Sequence, residues 1–311
     1  EHLLVVGAGP IGCELSQGFR QLGSEVTVVE GGSRVLRRDE PEASETLESV
    51  FREEGIEFHF DAHAEKVWRE GGEIHLLAGE DECVGDALLV AVGRRPNVEG
   101  LGLEAADVTY SSQGIEVDDG LQTSQPHIYA AGDCIGSYQF THYAGWQAAI
   151  AVRNALLPGD SRGRREWVPW TTFTQPEVAH AGLTEEQARA KFGDSISTTV
   201  HPMTEVDRAR AEVDTEGFVK LVHKGNSKVL GVTILAERAG ELIQEWMMVL
   251  EGKVGVRDVS TIIHVYPNYA WANVKAAGAL LQKQLFEGWL SGPVRTASRL
   301  ALKFMRWRRG F

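Results

Sequence analysis

The chain has 311 residues, 43% of them hydrophobic, which is enough for two or three domains with substantial cores. Its formal net charge of −13 disfavours general binding to nucleic acids, which are polyanions. No stretch approaches the roughly 18 uninterrupted apolar residues of a membrane span, and no secretory leader precedes the first predicted strand. The three cysteines, Cys13, Cys83 and Cys134, share no metal or redox spacing. These features predict a cytoplasmic protein in a reducing compartment, without a metal site.

A glycine-rich turn joins the first two predicted strands, residues 3–6 and 25–30. The turn has the pattern G-x-G-x-x-G, in which Gly7 permits a tight turn, Gly9 lets the backbone approach a pyrophosphate, and Gly12 lets the next helix pack closely on the sheet. That helix carries an apolar face made of Ile11, Leu15, Phe19 and Leu22.

Glu30 ends the second predicted strand, where a carboxylate can accept hydrogen bonds from both hydroxyls of an adenosine ribose. Its negative charge repels a 2′-phosphate, so NAD is favoured over NADP. The pyrophosphate would lie against the unpaired amides at the helix start, where the helix dipole is positive. The predicted dinucleotide site consists of Gly7, Gly9, Pro10, Ile11, Gly12 and Glu30.

The next segments continue the alternation of helices and strands. Asp39 is predicted to cap a helix that ends at Gly55 and whose inner face contains Leu47, Val50 and Phe51. Strands are predicted at residues 56–60, 73–77 and 86–92. The last strand is almost entirely apolar, which favours a central position in a parallel sheet. The G-R-R-P-N segment at residues 93–97 breaks the pattern and marks a predicted domain boundary.

A second motif, T-S-Q-P-H-I-Y-A-A-G-D, occupies residues 123–133. It predicts a buried strand that ends at Gly132 and Asp133, followed by a helix from about His142 to Leu157. With the first glycine motif and G-R-R-P-N, it makes the chain resemble the pyridine nucleotide–disulphide oxidoreductases. This flavoenzyme family includes dihydrolipoamide dehydrogenase, glutathione reductase and mercuric reductase. The resemblance extends to about Leu285.

The resemblance implies an α/β fold: a Rossmann-type NAD-binding domain, part of an FAD-binding domain, and an α+β dimerisation domain. The corresponding ranges are 1–95, 96–160 and 167–286, followed by a basic amphipathic tail at 287–311. Family members begin with a separate flavin-binding half that has its own G-x-G-x-x-G motif and a C-x-x-x-x-C redox pair. This chain contains neither, so we interpret it as the carboxyl-terminal portion of a longer enzyme.

The resemblance also assigns site residues for FAD and NAD. Asp133 would hydrogen-bond the ribityl chain of FAD, and Gly132 would allow its close approach. A helix amino terminus would stabilise negative charge on the reduced flavin, and the stretch that passes the flavin there is Gln139, Phe140, Thr141 and His142. Gly93 and Arg94 match the loop on the nicotinamide side, Ala64 matches a backbone contact to adenine, and Glu14 matches an acid that pairs with a lysine beside the flavin.

The carboxyl-terminal part is predicted to form a sheet with helices on one face. Residues 218–222 and 229–235 form a predicted hairpin around a turn at Lys224, Gly225 and Asn226. Helices are predicted at residues 184–192, 239–250 and about 269–285. In the family this domain contributes residues to the active site of a second subunit, so the resemblance implies a homodimer.

Residues 263–271 have the sequence I-H-V-Y-P-N-Y-A-W, and this segment bears on which class of electron acceptor the protein would use. Dihydrolipoamide dehydrogenases and glutathione reductases have a histidine–glutamate dyad at the positions of Tyr266 and Trp271. Tyrosine, with an ordinary pKa of about 10, can donate a proton but is a poor base near neutrality. A tyrosine here is similar to mercuric reductase, although no cysteine follows Cys134. Tyr266 is a candidate catalytic residue or a packed interface residue, and His264 lies two residues away from the dyad position.

The predicted function is that of an FAD-dependent NADH oxidoreductase. Hydride would pass from NADH to FAD and on to a disulphide, a mercuric ion or another small acceptor. The alternative is a non-catalytic module that binds NAD, senses redox state or dimerises. The basic tail is either a solvated or dimer-packed helix or a weak contact to a membrane surface or a protein partner.

Overall fold

The computed structural model describes residues 1–225, 227–286, 292–293, 296 and 300–301. The chain divides into two compact units, one of Glu1–Val92 with Thr171–Phe311 and one of Gly93–Trp170. Both contain helices and strands, and the predicted α/β class is confirmed. The predicted domain ranges stay predictions. Ranges 1–95 and 167–286 fall mainly in the first unit, and range 96–160 falls in the second.

The amino-terminal part of the first unit has two sheets. Its elements are β1 (His2–Val6), α1 (Pro10–Gln21), β2 (Glu25–Val29), α2 (Pro41–Glu53), β3 (Ile56–His59), β4 (Ala64–Glu70), β5 (Glu73–Ala78), β6 (Asp81–Gly85) and β7 (Ala87–Val90). A parallel sheet has the order β3-β2-β1-β7, and an antiparallel sheet has the order β4-β5-β6. The predicted strand–helix–strand unit around the glycine turn is therefore present as β1, α1 and β2.

The strand predicted to be central lies at an edge. In the part of the chain that the structure describes, β7 pairs only with β1, and Val90 and Val92 are 62% and 69% exposed. The central strands are β1 and β2. The apolar composition of residues 86–92 suggested burial on both faces, but composition does not specify which strands lie beside it.

The side of α1 that faces the sheet also differs from the prediction. Its buried residues are Gly12, Cys13, Ser16 and Gln17. The predicted apolar face lies on the opposite, solvent-exposed side: Ile11 (41% exposed), Leu15 (40%), Phe19 (43%) and Leu22 (83%). The physical reason is the close approach of helix and turn, since a Cβ on Gly12 would lie 1.9 Å from the carbonyl oxygen of Gly7. Only small or slender side chains fit on that side.

The start of α2 is a further correction. The N-cap residue is Glu40, in an extended conformation and without a side-chain capping hydrogen bond, rather than Asp39. Both acids are buried. The Glu40 side chain is engaged by Lys220 instead, at 3.0 Å. A local sequence pattern identified a helix start but could not reveal this distant partner.

The second unit contains β8 (Tyr110–Ser111), β9 (Gly114–Ile115) and α3 (Thr141–Leu156), with a 3-10 turn at Gly132–Ile135. The helix predicted from about His142 is confirmed as α3. The buried strand predicted before Gly132 is not formed: Tyr129 makes one isolated bridge to Gln122. A strand requires a partner along its length, and the described residues provide none for residues 128–131 beyond that bridge.

The carboxyl-terminal part of the first unit is a five-stranded sheet with the order β10-β11-β14-β13-β12. Its elements are β10 (Trp170–Thr172), β11 (Glu177–Gly182), α4 (Glu185–Phe192), β12 (Ile196–Pro202), α5 (Asp207–Glu212), β13 (Phe218–Lys224), β14 (Val229–Ala236), α6 (Ala239–Leu250), α7 (Val256–Thr261) and α8 (Trp271–Phe286). The predicted hairpin is β13 and β14. Asn226 of its turn and nearly all of the predicted tail lie outside the described residues.

This sheet is covered on both faces. One side packs on α6 and α8 through Trp246, Ile243 and Leu280, among others. On the other side, Phe218 and Leu235 join a core cluster with residues of β1, β2 and α2. The amino-terminal sheet and the carboxyl-terminal sheet therefore share a core. No helix among the described residues is long and apolar enough to cross a bilayer.

Candidate functional site

The glycine turn has the geometry that a phosphate-binding turn requires. Gly7 has φ +103°, and a Cβ there would lie 2.7 Å from the carbonyl oxygen of Ala91. A Cβ on Gly9 would meet no atom within 4 Å, so the backbone borders open space. Helix α1 begins at Pro10, and the first bond of the helix runs from the Cys13 N–H to the Gly9 carbonyl (2.9 Å). The earlier amides of Ile11 and Gly12 point out of the helix end, where an anion can accept from them.

Glu30 lies at the end of β2, next to this turn. Its two carboxylate oxygens accept hydrogen bonds from the backbone N–H groups of Ala8 (2.7 Å) and Gly32 (2.8 Å). Arg37 Nη1 lies 3.9 Å from Glu30 Oε1. An ionised carboxylate has about four acceptor positions, so the fixed carboxylate can also accept from two ribose hydroxyls. Ala64 lies at the start of β4, two residues after Ala62, whose N–H donates to the Glu30 carbonyl (3.1 Å).

The second unit brings together two of the predicted flavin-site residues, Gln139 and Asp133, and Arg94 of the predicted nicotinamide-side loop. Arg94 Nη2 donates to the carbonyl of Gln139 (2.9 Å), and Arg94 Nη1 lies 3.9 Å from Asp133 Oδ2. Gly132 has φ +80°, and its N–H donates to Gln147 Oε1 (2.9 Å). The Asp133 carboxylate is half exposed and can accept hydrogen bonds from ligand hydroxyls.

The other residues of the stretch predicted to pass the flavin, Phe140, Thr141 and His142, lie at the amino terminus of α3. Phe140 is the N-cap residue and makes no side-chain capping bond, so the helix amides after Thr141 are open to a ligand. The rings of Phe140 and His142 stack at 5.3 Å, and His142 Nε2 lies 2.8 Å from the carbonyl oxygen of Pro169. Gly93 has φ +122°, and a Cβ there would meet nothing within 4 Å.

Glu14 has a partner that sequence reasoning missed. Its Oε1 accepts from the backbone N–H of Phe173 (2.8 Å). One helical turn later, Gln17 accepts from the Gln175 N–H and donates to the Gln175 carbonyl, both at 2.7 Å. Helix α1 is thereby bonded to the segment that leads into β11. These partners are about 158 residues apart in sequence, and no local pattern indicates them.

Tyr266 is exposed, and its hydroxyl donates to Asp207 Oδ2 (2.8 Å). This hydrogen bond raises the pKa of Tyr266 above its ordinary value. The shift makes the phenol a still poorer base, and its hydroxyl a hydrogen-bond donor. Its ring contacts Trp271 edge to face at 5.5 Å.

His264 is held by groups within the chain. Its Nε2 lies 2.8 Å from Glu245 Oε1, and its Nδ1 lies 2.8 Å from the carbonyl oxygen of Ile262. Glu245 also accepts from Asn273 Nδ2 (2.9 Å). Because both ring nitrogens are engaged, His264 does not replace the histidine absent from position 266.

The described residues contain no group of three or more His, Cys, Asp or Glu side chains placed to hold a metal ion. Cys13 is buried under α1, and burial followed by the nearby carboxylates, Asp39 first, raises the pKa of its thiol. Its Sγ donates to the Ala8 carbonyl (3.3 Å). Cys13 is therefore a packing residue of the turn.

Comparison with known families gives two matches in succession. Residues 1–148 match the profile described as pyridine nucleotide-disulphide oxidoreductase. Residues 168–277 match the dimerisation domain of the same enzymes.

Similar curated proteins include the mercuric reductase of Acidithiobacillus ferrooxidans, 37% identical over 86% of this chain and 48% of that protein. The dihydrolipoyl dehydrogenase of Thermus scotoductus is 35% identical over 90% of this chain and 62% of that protein. The chain thus spans about half the length of the mercuric reductases that it matches.

Solved structures show the same likeness. LpdA from Mycobacterium tuberculosis superposes with a TM-score of 0.83 and 31% identity, covering 90% of this chain and 61% of that one. The HOCl-induced flavoprotein disulfide reductase RclA from Escherichia coli gives a TM-score of 0.82 and 28% identity, covering 89% and 64%.

Proposed function

Because the chain belongs to the pyridine nucleotide-disulphide oxidoreductase family, we propose that it holds the NADH site and part of the FAD site of a flavin-dependent reductase. Members of this family depend on FAD and use NAD(P)H. The observation that carries the proposal is the position of Glu30, fixed by the Ala8 and Gly32 amides beside an open glycine turn.

The residues of the turn bind and orient the dinucleotide. Glu30 accepts from the ribose hydroxyls, and the amides after Pro10 bind the pyrophosphate. Asp133 and the amino terminus of α3 hold the flavin and favour its negative charge. When bound, FAD supplies a two-electron acceptor for the hydride of the nicotinamide.

The final acceptor is a disulphide, a mercuric ion or another small molecule. To donate a hydrogen bond or a proton to this acceptor, the Tyr266 hydroxyl exchanges its present hydrogen bond to Asp207 Oδ2 for one to the acceptor. The dimerisation domain is typical of homodimers in this family, so we propose that this chain functions as a homodimer.

The test is a calorimetric titration of the chain with NADH and with NADPH, for the wild type and for Glu30→Gln. Hydrogen bonds to a charged group contribute about 1.5–3 kcal/mol, so the variant should bind NADH roughly ten- to a hundredfold more weakly. Its affinity for NADPH should not fall, because the charge that repels a 2′-phosphate is gone. Glu25→Gln, exposed at the start of β2, is the matched control. Equal NADH affinity in Glu30→Gln and wild type would contradict the proposed site.

A second candidate function, NAD binding without catalysis, is favoured by one observation. The Tyr266 hydroxyl and both His264 nitrogens are already engaged by Asp207, Glu245 and Ile262. NADH oxidation assayed with added FAD and an acceptor series separates the two functions. Sustained turnover with any acceptor supports the reductase, and saturable NADH binding with neither FAD binding nor turnover supports the module.

A further inference from the structure

Cys83, His59 and Asp81 meet where the edge strand β3 lies near β6. His59 Nδ1 lies 3.1 Å from Asp81 Oδ2, and His59 Nε2 lies 3.9 Å from Cys83 Sγ. Asp81 and Cys83 are two residues apart on β6 and therefore share a face of that strand. None of the three belongs to the nucleotide or flavin residues described above.

The partners of the imidazole determine which nitrogen faces the thiol with a lone pair. An ionised carboxylate can only accept, so Asp81 requires the proton on Nδ1 of His59. Nε2 then presents its lone pair toward Cys83 Sγ. Histidines that bind metals characteristically donate their other N–H to a carboxylate in this way, which fixes the tautomer and increases the basicity of the ligand.

The distance between the two donors suits a bridging metal ion. A metal bonded to sulfur at about 2.3 Å and to nitrogen at about 2.0 Å holds the two donors at most roughly 4.3 Å apart. The observed 3.9 Å lies within that limit. A bridging ion therefore requires little movement of either strand.

The surroundings favour a cation and shield it. Cys83 is 8% exposed and packs against Leu4, Val29 and Leu76. The half-buried ring of His59 gives access from solvent. The carboxylates of Asp81 and Glu57 act on Cys83 through their negative charge. The same negative charges attract a positive ion.

We propose that Cys83 and His59 bind a single soft, low-coordinate metal ion, Cu(I), with Asp81 as the positioning residue. Thiolate and imidazole are donors that copper accepts. Structural zinc takes four ligands, whereas no third protein donor completes a set here among the residues described. On binding, the Cys83 S–H bond is replaced by a Cu–S bond, and the proton passes to solvent.

The test uses the whole chain and the Cu(I)–bicinchoninate complex under anaerobic, reducing conditions. Transfer of copper to the protein is measured by loss of the absorbance of the complex, and X-ray absorption reports the donor atoms. We expect one tightly bound Cu(I) per chain, with one sulfur and one nitrogen neighbour. His59→Gln should remove the nitrogen neighbour, and Asp81→Asn should weaken binding about 10- to 100-fold.

The matched controls are His75→Gln and Glu82→Gln. This pair also joins a histidine to a carboxylate, with Nδ1 and Oε1 2.6 Å apart, but Glu82 lies on the opposite face of β6 from Cys83. Both controls should bind Cu(I) as the wild type does. Wild-type affinity and spectrum in His59→Gln and Asp81→Asn would overturn the proposal, and so would an equal loss of binding in the controls. Because Asp81 is largely exposed, Asp81→Asn tests the site without changing a core side chain.

Discussion

Glu30 and Glu40 lie ten positions apart in the amino-terminal part of the chain, yet their surroundings differ completely. Glu30 is held by two backbone amides and lies 3.9 Å from the exposed Arg37. Glu40 is 1% exposed and accepts from Lys220 Nζ (3.0 Å) and from the Glu185 N–H (2.7 Å). Amides leave the charge of Glu30 available to a ligand, whereas a cation uses the charge of Glu40 internally. The environment, rather than the residue type, distinguishes the carboxylate that we propose for ligand binding from the structural one.

Lys220 is the centre of the structural cluster. Besides Glu40, it contacts Glu42 (2.7 Å) and Glu185 (2.9 Å), and it is itself 2% exposed. Burial alone would lower the pKa of Lys220, but hydrogen bonds to Glu42, Glu185 and Glu40 outweigh that effect and raise it. The cluster joins α2 to β13 and to the start of α4. It therefore fixes the amino-terminal part of the chain on the carboxyl-terminal sheet.

The largest expected effect comes from Lys220→Met, which would leave Glu40 buried without its cation. Removing one partner of a buried ion pair costs about 3–5 kcal/mol. We expect that loss in the free energy of unfolding, measured by urea titration with tryptophan fluorescence. Lys253→Met changes an exposed lysine and should have little effect. A loss below about 1 kcal/mol in Lys220→Met would show that the cluster does not stabilise the fold.

Acidification should lower the free energy of unfolding through buried histidines in the carboxyl-terminal sheet. Burial lowers the pKa of His180 to about 4, and it also lowers the pKa values of His201 and His223. The unfolded chain takes up these protons near pH 6.5, so stability is full above that pH and falls as the pH decreases toward 4. His180 alone should give a slope approaching about 1.4 kcal/mol per pH unit in that window.

Urea titrations at a series of pH values measure this slope, and His180→Gln should flatten it. Hydrogen bonding to Lys220 lowers the pKa of Glu185. The contribution of ionised Glu185 to the free energy of unfolding is complete above the ordinary pKa of a glutamate, and it is lost as the pH falls below that value. A pH-independent free energy of unfolding between pH 7 and 5 would contradict the prediction.

The smallest expected effect concerns Arg37, beside Glu30. The guanidinium is exposed, and such pairs contribute about 0.2–1 kcal/mol. Because Arg37 is positioned to attract a 2′-phosphate, Arg37→Ala should weaken NADPH binding by a factor of about two to five, with NADH little changed. Competition titrations of the two nucleotides measure the ratio. A change that affects both nucleotides equally would assign Arg37 to general charge attraction.

The comparison also explains which parts could be predicted from sequence. The proposed role of Glu30 follows from neighbours within the same strand–turn–helix unit, and the structure has that unit where the sequence predicts it. The side-chain hydrogen-bond partners of Glu40, Glu14 and Tyr266 lie 59 or more positions away. Periodicity carries no information about such contacts, so the sequence could identify these residues but not their environment.

Two fold predictions failed for a related reason. Periodicity predicts an apolar face on α1, and such a face usually packs on the core, but the Gly7–Gly12 contact admits only small side chains on the side that faces the sheet. The strand at residues 86–92 was placed centrally by composition, but strand order depends on which segments pair. In both cases the tertiary neighbour, rather than the local pattern, decided the outcome.

The row formed by Ile11, Leu15, Phe19 and Leu22 has a practical consequence for anyone who handles the isolated chain. Large exposed hydrophobic side chains promote aggregation at high protein concentration. Environment-sensitive dyes such as SYPRO Orange will bind to these side chains before any heating. Melting curves recorded with these dyes will start from a bright baseline. Circular dichroism will give the cleaner denaturation profile.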